Sequence, residues 1–240
     1  MHIESEEIIK AKIRALRGRD AGNNKLVLET LALRGPLIKY DIFKALKSKG
    51  VKHYPTISRR VDALKDRGYL AVAGKRLIMV GKRSEESRTY ALTWRGFIAS
   101  LVIETVIKDI PSVLENDPLL EFPLPPEVPR EMVISVLKQL FTPSEIRIIA
   151  HAILTGFLKA LPEDIESISE EEYIMYMLPA FARTPEIKEK FEERDLTELL
   201  QIPGLLELAL DLINTYEKQL SELLKGISAI KSELEQYVQS

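Results

Sequence analysis

The chain has 240 residues, of which 45% are hydrophobic, 29% charged and 7% aromatic. That balance supports a buried core, excludes wholesale disorder and fits one large domain or two modest ones. Cysteine is absent, which excludes disulfides, thiolate metal sites and cysteine nucleophiles, and no apolar run is long enough to cross a bilayer.

The start, Met1-His2-Ile3-Glu4-Ser5-Glu6-Glu7, is acidic and lacks the basic, apolar, small order of a signal peptide. The expected location is cytoplasmic, with no membrane partner. Asn and Gln are scarce beside Lys, Arg and Glu, a composition that leans towards a thermophile. The net charge of −2 hides a division: residues 1–97 hold 22 basic and 10 acidic side chains, a net +12, and residues 98–240 hold 12 and 26, a net −14. A basic module attracts polyanions, of which nucleic acid is the commonest. The plainer alternative is a bipolar protein whose halves attract each other or a neighbour.

Residues 1–22 read as a helical arm, with Ile9, Ile13 and Leu16 on one side of a helix over 3–17. Leu26, Leu28, Leu31 and Leu33 mark a helix ending at Gly35-Pro36. The next carries apolar Tyr40, Ile42, Phe43 and Leu46 between Lys39, Lys44, Lys47 and Lys49, and Gly50 stops it. After the turn Val51–Tyr54, a third helix starts at Pro55, with Ile57, Val61 and Leu64 in one stripe. Its other side holds Thr56, Arg59, Arg60, Ala63 and Arg67. Tyr69 to Val80 and Arg88–Leu92 read as strands around the charged loop Gly81–Ser87, a hairpin. Thr93 is placed to cap a helix from Trp94 to about Lys108.

Residues 111–129 hold six of the thirteen prolines and read as a stiff, extended connector. From 130 onwards the pattern is helical. Arg130–Phe141 is one helix; Thr142-Pro143-Ser144-Glu145 opens the next with a capping-box pattern, which Ser169 to Glu172 repeats before Tyr173–Phe181. The last helix carries a heptad. Leu206, Ile213, Leu220, Ile227 and Leu234 stand seven apart, and Ala209, Tyr216, Leu223, Ile230 and Tyr237 three residues later. Up to Leu212 the apolar side is wider and is expected to be buried in its own domain. Beyond it, Tyr216, Leu220, Leu223, Ile227, Ile230, Leu234 and Tyr237 are the expected dimerisation seam of a homodimer; packing within one subunit is the alternative.

The fold class expected is mainly α: an N-terminal winged helix-turn-helix of three helices plus a β-hairpin wing over 23–110, joined through 111–129 to an all-α C-terminal domain over 130–240. The third helix of such a module presents its polar side to the major groove of double-stranded DNA, and the wing reaches the backbone.

The stretch Tyr54-Pro55-Thr56-Ile57-Ser58-Arg59-Arg60-Val61-Asp62-Ala63-Leu64-Lys65-Asp66-Arg67-Gly68-Tyr69-Leu70 resembles the recognition helix of PadR-like and MarR-like regulators. Arg88-Thr89-Tyr90-Ala91-Leu92-Thr93-Trp94-Arg95-Gly96-Phe97 looks like the closing strand-to-helix segment of those families, so the resemblance covers roughly 24–100. It implies a DNA-binding transcription regulator in which Tyr54, Thr56, Ser58, Arg59, Arg60 and Arg67 of the recognition helix face base edges or nearby phosphates. Lys39, Tyr40, Lys52 and His53 would meet the backbone from the second helix and the turn, and Lys82, Arg83 and Arg88 from the wing. Winged helices also serve as protein-interaction scaffolds, and a cationic helix side is often only solvated.

Signs of an enzyme are weak. No phosphate-binding glycine loop and no G-x-S-x-G motif occurs. Of the three histidines, His2 is near the chain start, His53 lies in the turn, and His151 on an apolar helix reads as a core residue without a paired metal ligand. The acidic cluster Glu163, Asp164, Glu166, Glu170, Glu171 and Glu172 reads as a solvated helix start. No cofactor or metal is expected. The apolar helices of 130–200 offer room for a small-molecule effector that the sequence does not specify.

Overall fold

Three helices form the centre of the N-terminal half. α1 (Ala21–Arg34) is central and buries side chains around most of its circumference, among them Asn24, Val27, Leu28, Leu31 and Ala32. It ends at Gly35, whose φ of +71° suits glycine and where a Cβ would come within 2.5 Å of the Asn116 carbonyl oxygen. The short strand β1 (Leu37–Ile38) leads into α2 (Lys39–Lys47), which buries Ile42, Phe43 and Leu46. α3 (Tyr54–Asp66) carries Pro55 in its first turn and buries only Ile57, Val61 and Leu64, the stripe its spacing predicts. Each such burial contributes about 1.5–3 kcal/mol. The other side of α3 stays at the surface.

The sheet has the order β1-β3-β2 and is antiparallel, with β2 (Leu70–Val80) and β3 (Arg83–Leu92) in register from Leu70↔Leu92 to Val80↔Arg83. An irregularity between Val72 and Gly74 shifts the register. The expected charged loop Gly81–Ser87 is corrected: β3 begins at Arg83, and Ser84–Ser87 pair with Arg76–Met79. A ribbon wetted on both faces shows no apolar alternation, so its pattern resembles a loop. Lys75 Nζ joins Glu86 across the ribbon at 2.8 Å.

The single helix expected from Trp94 to about Lys108 is in fact broken. α4 (Trp94–Ser100) starts as expected, the Thr93 hydroxyl accepting from Gly96 N–H at 3.2 Å. Ser100 donates back to the Phe97 carbonyl at 2.7 Å, and Ile103 takes an extended, buried conformation. α5 (Glu104–Ile107) and α6 (Ile110–Asn116) follow. α6 occupies the start of the expected extended connector, because Pro111 falls in a first helical turn where its missing N–H costs nothing. α7 (Arg130–Leu140) matches its predicted bounds closely, and α8 (Pro143–Ala160) starts where the capping-box pattern places it. The capping box is complete: Glu145 N–H donates to Thr142 Oγ1 at 3.3 Å, and Thr142 N–H to Glu145 Oε2 at 2.7 Å. Ser169 and Glu172 reciprocate in the same way, at 2.7 and 3.3 Å.

These features belong to a computed structural model that describes residues 7–8, 11–80, 83–116, 130–169, 172–173, 176–177, 180, 183–185 and 188–189. Of the last helix it describes 206, 210, 213–214, 217–218, 221–222, 224–228 and 231. Within the arm, helix stops before Ile13, which is extended and fully buried, and a 3₁₀ turn (Arg14–Leu16) follows in place of helix to residue 17. One apolar cluster runs from Ile13 through the three helices to Phe157, Leu158, Ile165 and Ala180.

Three further expectations are corrected. His151 is exposed, not in the core. Asp164 and Glu166 are not solvated: Asp164 is buried and meets Arg14 at 2.6 Å. Leu206 and Leu210, expected inside their own domain, are about half exposed, at 48% and 50%.

Candidate nucleic-acid interface

The surface in question is built where α2 and α3 meet. The turn between them is closed by Val51 N–H donating to the Leu46 carbonyl at 3.2 Å. Three rings then brace the two helix starts: Tyr40 to Tyr54 at 6.2 Å, Tyr40 to Phe43 at 6.5 Å, and Phe43 edge-on to Tyr54 at 5.7 Å. Phe43 is buried, whereas Tyr40 and Tyr54 remain exposed. His53 occupies the N-cap position of α3 in an extended conformation without a side-chain cap bond. The first N–H groups of α3 are therefore not capped by that side chain, and they carry the positive end of the helix dipole.

The candidate cations fall into two groups. Lys52, His53, Arg59 and Arg88 are exposed. Arg59 bonds its own helix, Nε donating to the Pro55 carbonyl at 3.3 Å. Thr56 and Ser58 are half-buried beside it.

The second group is held by acids of the same chain. Lys39 meets Asp62 at 2.5 Å and stands 5.6 Å from the Tyr90 ring centre. Arg60 pairs with Asp20. On the hairpin, Arg76 reaches Asp41 at 3.2 Å and ties the wing to α2. Lys82 lies outside the described residues, and Arg83 is placed as a backbone position at the start of β3.

Arg67, also of the expected DNA-contacting set, is engaged within the chain. Its guanidinium makes a two-pronged contact with Glu166, one arm at 3.1 Å, and its carbonyl accepts from Arg95 at 2.8 Å. Tyr69 joins this knot. Its hydroxyl donates to Glu166 at 2.6 Å and accepts from Ala15 N–H at 3.3 Å. Burial, then the hydrogen bond and charge of Glu166, push the Tyr69 phenol well above the ordinary tyrosine range. Arg95 spans to the Ile168 carbonyl and Tyr173 hydroxyl at 3.1 and 3.0 Å. Arg67 therefore fastens the end of α3 to Glu166.

A second buried acid braces the opposite side. Burial pushes the Glu29 carboxyl up, but hydrogen bonds from Lys49 (2.8 Å) and Thr105 (2.6 Å) outweigh it and hold the group below its ordinary range. The sequence reading missed Asp20, Asp41, Asp62 and Glu29 as partners, and took Glu166 for a solvated residue. Their partners are distant in sequence, so no local spacing could have flagged them.

Elsewhere, Ile227 of the expected dimerisation seam is exposed, and so are Ile213 and Leu224. Tyr216, Leu220, Leu223, Ile230, Leu234 and Tyr237 lie outside the described residues. An open pocket of about 380 Å³ between α8 and residues 180–185 has Gly156, Lys159, Arg183 and Thr184 in its lining. Among the described residues there is no group of three side chains suited to hold a metal ion, and no helix long and apolar enough to cross a membrane.

The three helices, the antiparallel sheet and the hairpin wing define a winged-helix-like fold. No family model matches the chain, and no curated protein does. Among solved structures, the crystal structure of Bacillus subtilis PadR in complex with operator DNA aligns at 18% identity, covering 70% of this chain and 96% of that one, with a TM-score of 0.25. A likeness of that size carries no weight for function.

Proposed function

We propose that the protein is a sequence-specific, double-stranded DNA-binding transcription regulator. In this reading α3 lies in the major groove and the basic wing lies on the backbone. One observation carries it: α3 buries a single apolar stripe and leaves Tyr54, Thr56, Ser58 and Arg59 on a ring-braced surface beside Lys52 and His53. A helix presented in this way fits the major groove, and its uncapped N-terminus favours a phosphate. Lys52 and Arg88 neutralise backbone phosphates, Tyr40 and His53 hydrogen-bond to them, and Arg59 and Thr56 read base edges. The exposed apolar residues of the last helix join two copies, so that two α3 helices meet two half-sites.

Arg59→Ala is expected to weaken binding to a cognate duplex by about 5–150-fold, the worth of one good arginine–base contact, and to leave the melting temperature unchanged. Arg67→Ala is expected to lower the melting temperature instead. Anisotropy titrations against labelled duplex check both, and unchanged affinity for R59A removes α3 from the reading role.

A second reading, a protein-interaction scaffold, is favoured by one feature. Leu77 and Met79 stand on the wing at 69% and 70% exposure, apolar where a phosphate contact needs charge. A steep fall of affinity with salt belongs to the DNA reading, and a shallow one to the scaffold.

A further inference from the structure

The chain that leads from the arm into α1 is held at both ends. Upstream, Lys12 Nζ donates to the Leu161 carbonyl at 2.7 Å, and Ile165 N–H donates to the Lys12 carbonyl at 2.9 Å. Asn24 Nδ2 donates to the Ala15 carbonyl at 2.8 Å. Downstream, Asp20 pairs with Arg60 in the middle of α3. Between these ties lies the short loop Arg17-Gly18-Arg19, closed by Ala21 N–H donating to the Gly18 carbonyl at 3.2 Å. Gly18 has a φ of +71°, and nothing stands within 4 Å of the place a Cβ would take. Arg17 and Arg19 are exposed, and Arg19 meets no acid among the described residues. Thr56 precedes Arg60 by four residues and so shares its side of α3. The loop is therefore fastened to the side of the helix that carries Thr56.

We propose that Arg19 is a further DNA-binding residue, a contact to a backbone phosphate bordering the stretch that α3 reads; this rests on the DNA-binding reading. Position comes from the Asp20–Arg60 pair, which sets the residue next to Arg19 against the flank of α3. Charge comes from the same pair. It occupies the neighbouring carboxylate, so the Arg19 guanidinium is left for a phosphate, with which it forms a charge-assisted hydrogen bond. Order comes from the ties at both ends, which hold the loop in place before DNA arrives and keep the entropy lost on contact small. The open space over Gly18 leaves room for a phosphate to come close. The Asp20–Arg60 pair stays closed on every sequence. Arg19 thus adds affinity and fixes register, and it carries no base preference.

The test uses the full chain. A duplex is selected from a random pool by the wild-type protein, and a scrambled duplex serves as reference. Wild type, R19A and K159A are titrated by anisotropy from about 50 to 200 mM salt, a range in which phosphate contacts change affinity strongly. Lys159 is an exposed cation of α8, also without an acid partner among the described residues, and it controls for net charge. R19A is expected to weaken binding to both duplexes by about eightfold at 0.1 M salt, and to lower the salt slope by about 0.9, the counterion release of one phosphate contact. K159A should change affinity by less than about twofold, because salt screens a distant charge. Ethylation of phosphates should interfere with wild-type binding at the border of the α3 site, and R19A should lack that signal.

An R19A protein that matches K159A, or keeps the wild-type salt slope and interference pattern, overturns the inference alone. A loss confined to the selected duplex would make Arg19 a base reader and also overturns it. Wild-type protein that selects and binds no duplex overturns the DNA reading and this inference together. Circular dichroism and a thermal melt check that R19A folds as wild type does. R19Q, which loses the charge and keeps much of the side-chain stem, takes its place if it does not.

Discussion

Tyr69 shows how one residue can matter more for its hydroxyl than for its ring. The ring is fully buried, and the hydroxyl connects Ala15 of the arm to Glu166 of the 161–173 segment. Tyr69→Phe leaves Glu166 with Arg67 alone and Ala15 N–H without its partner, so a loss of about 1–3 kcal/mol in unfolding free energy is expected in urea titrations. The pH dependence has a definite sign. The folded phenol has its pKa raised, so the stabilisation is complete below the ordinary tyrosine value of about 10 and is lost as pH rises above it. Ultraviolet titration of the native protein should find one tyrosine that does not ionise until the chain unfolds. Y69F should remove that group and flatten the alkaline fall in stability.

At the level of elements, the hinge between the hairpin and α4 is the tightest joint. Thr93 N–H donates to the Tyr69 carbonyl at 3.1 Å, and Thr93 Oγ1 donates to the Gly68 carbonyl at 2.6 Å. A Cβ on Gly96 would lie 2.0 Å from the Tyr69 carbonyl oxygen, a contact no backbone tolerates. Gly96→Ala is expected to cost about 1–3 kcal/mol or more by forcing β2 and α4 apart. Gly74→Ala, whose nearest neighbour stands at 3.6 Å, should stay within about 0.5 kcal/mol of wild type. Comparison of the two thermal melts checks the joint, and equal melts would remove its importance. The same joint explains the sequence signal: a helix start that must sit against a backbone carbonyl needs glycine at the third helical position, and Tyr-x-Leu-Thr-x-x-Gly records that need.

For the whole molecule, the arrangement of charge and apolar surface points to pairing. Leu206, Leu210, Ile213, Leu224 and Ile227 are each between 48% and 63% exposed. Apolar side chains repeated along one helix at that exposure lose about 25 cal/mol for every Å² left in water. The proposed seam predicts twice the chain mass in sedimentation equilibrium, and Ile213→Asp with Ile227→Asp should yield the single-chain mass with the winged helix still folded. Single-chain mass for the wild type would remove the dimer.

The sequence alone determined what is written in local periods. The buried stripe of α3, the capping boxes at Thr142 and Ser169, the closing glycine of α1 and the charge division are all visible within a few residues, because helix geometry and capping act over one or two turns. It could not show that the charged wing residues continue β3, since a strand with no buried face has no alternation to read. Nor could it show that α4, α5 and α6 are separate, since buried apolar residues on every side give no break in pattern. Which cations face solvent was decided only by the tertiary structure. Arg60, Arg67 and Lys39 look identical to Arg59 along the chain, but Asp20, Glu166 and Asp62 reach them through space. Ion pairing depends on distance in the folded molecule, and distance along the chain does not encode it.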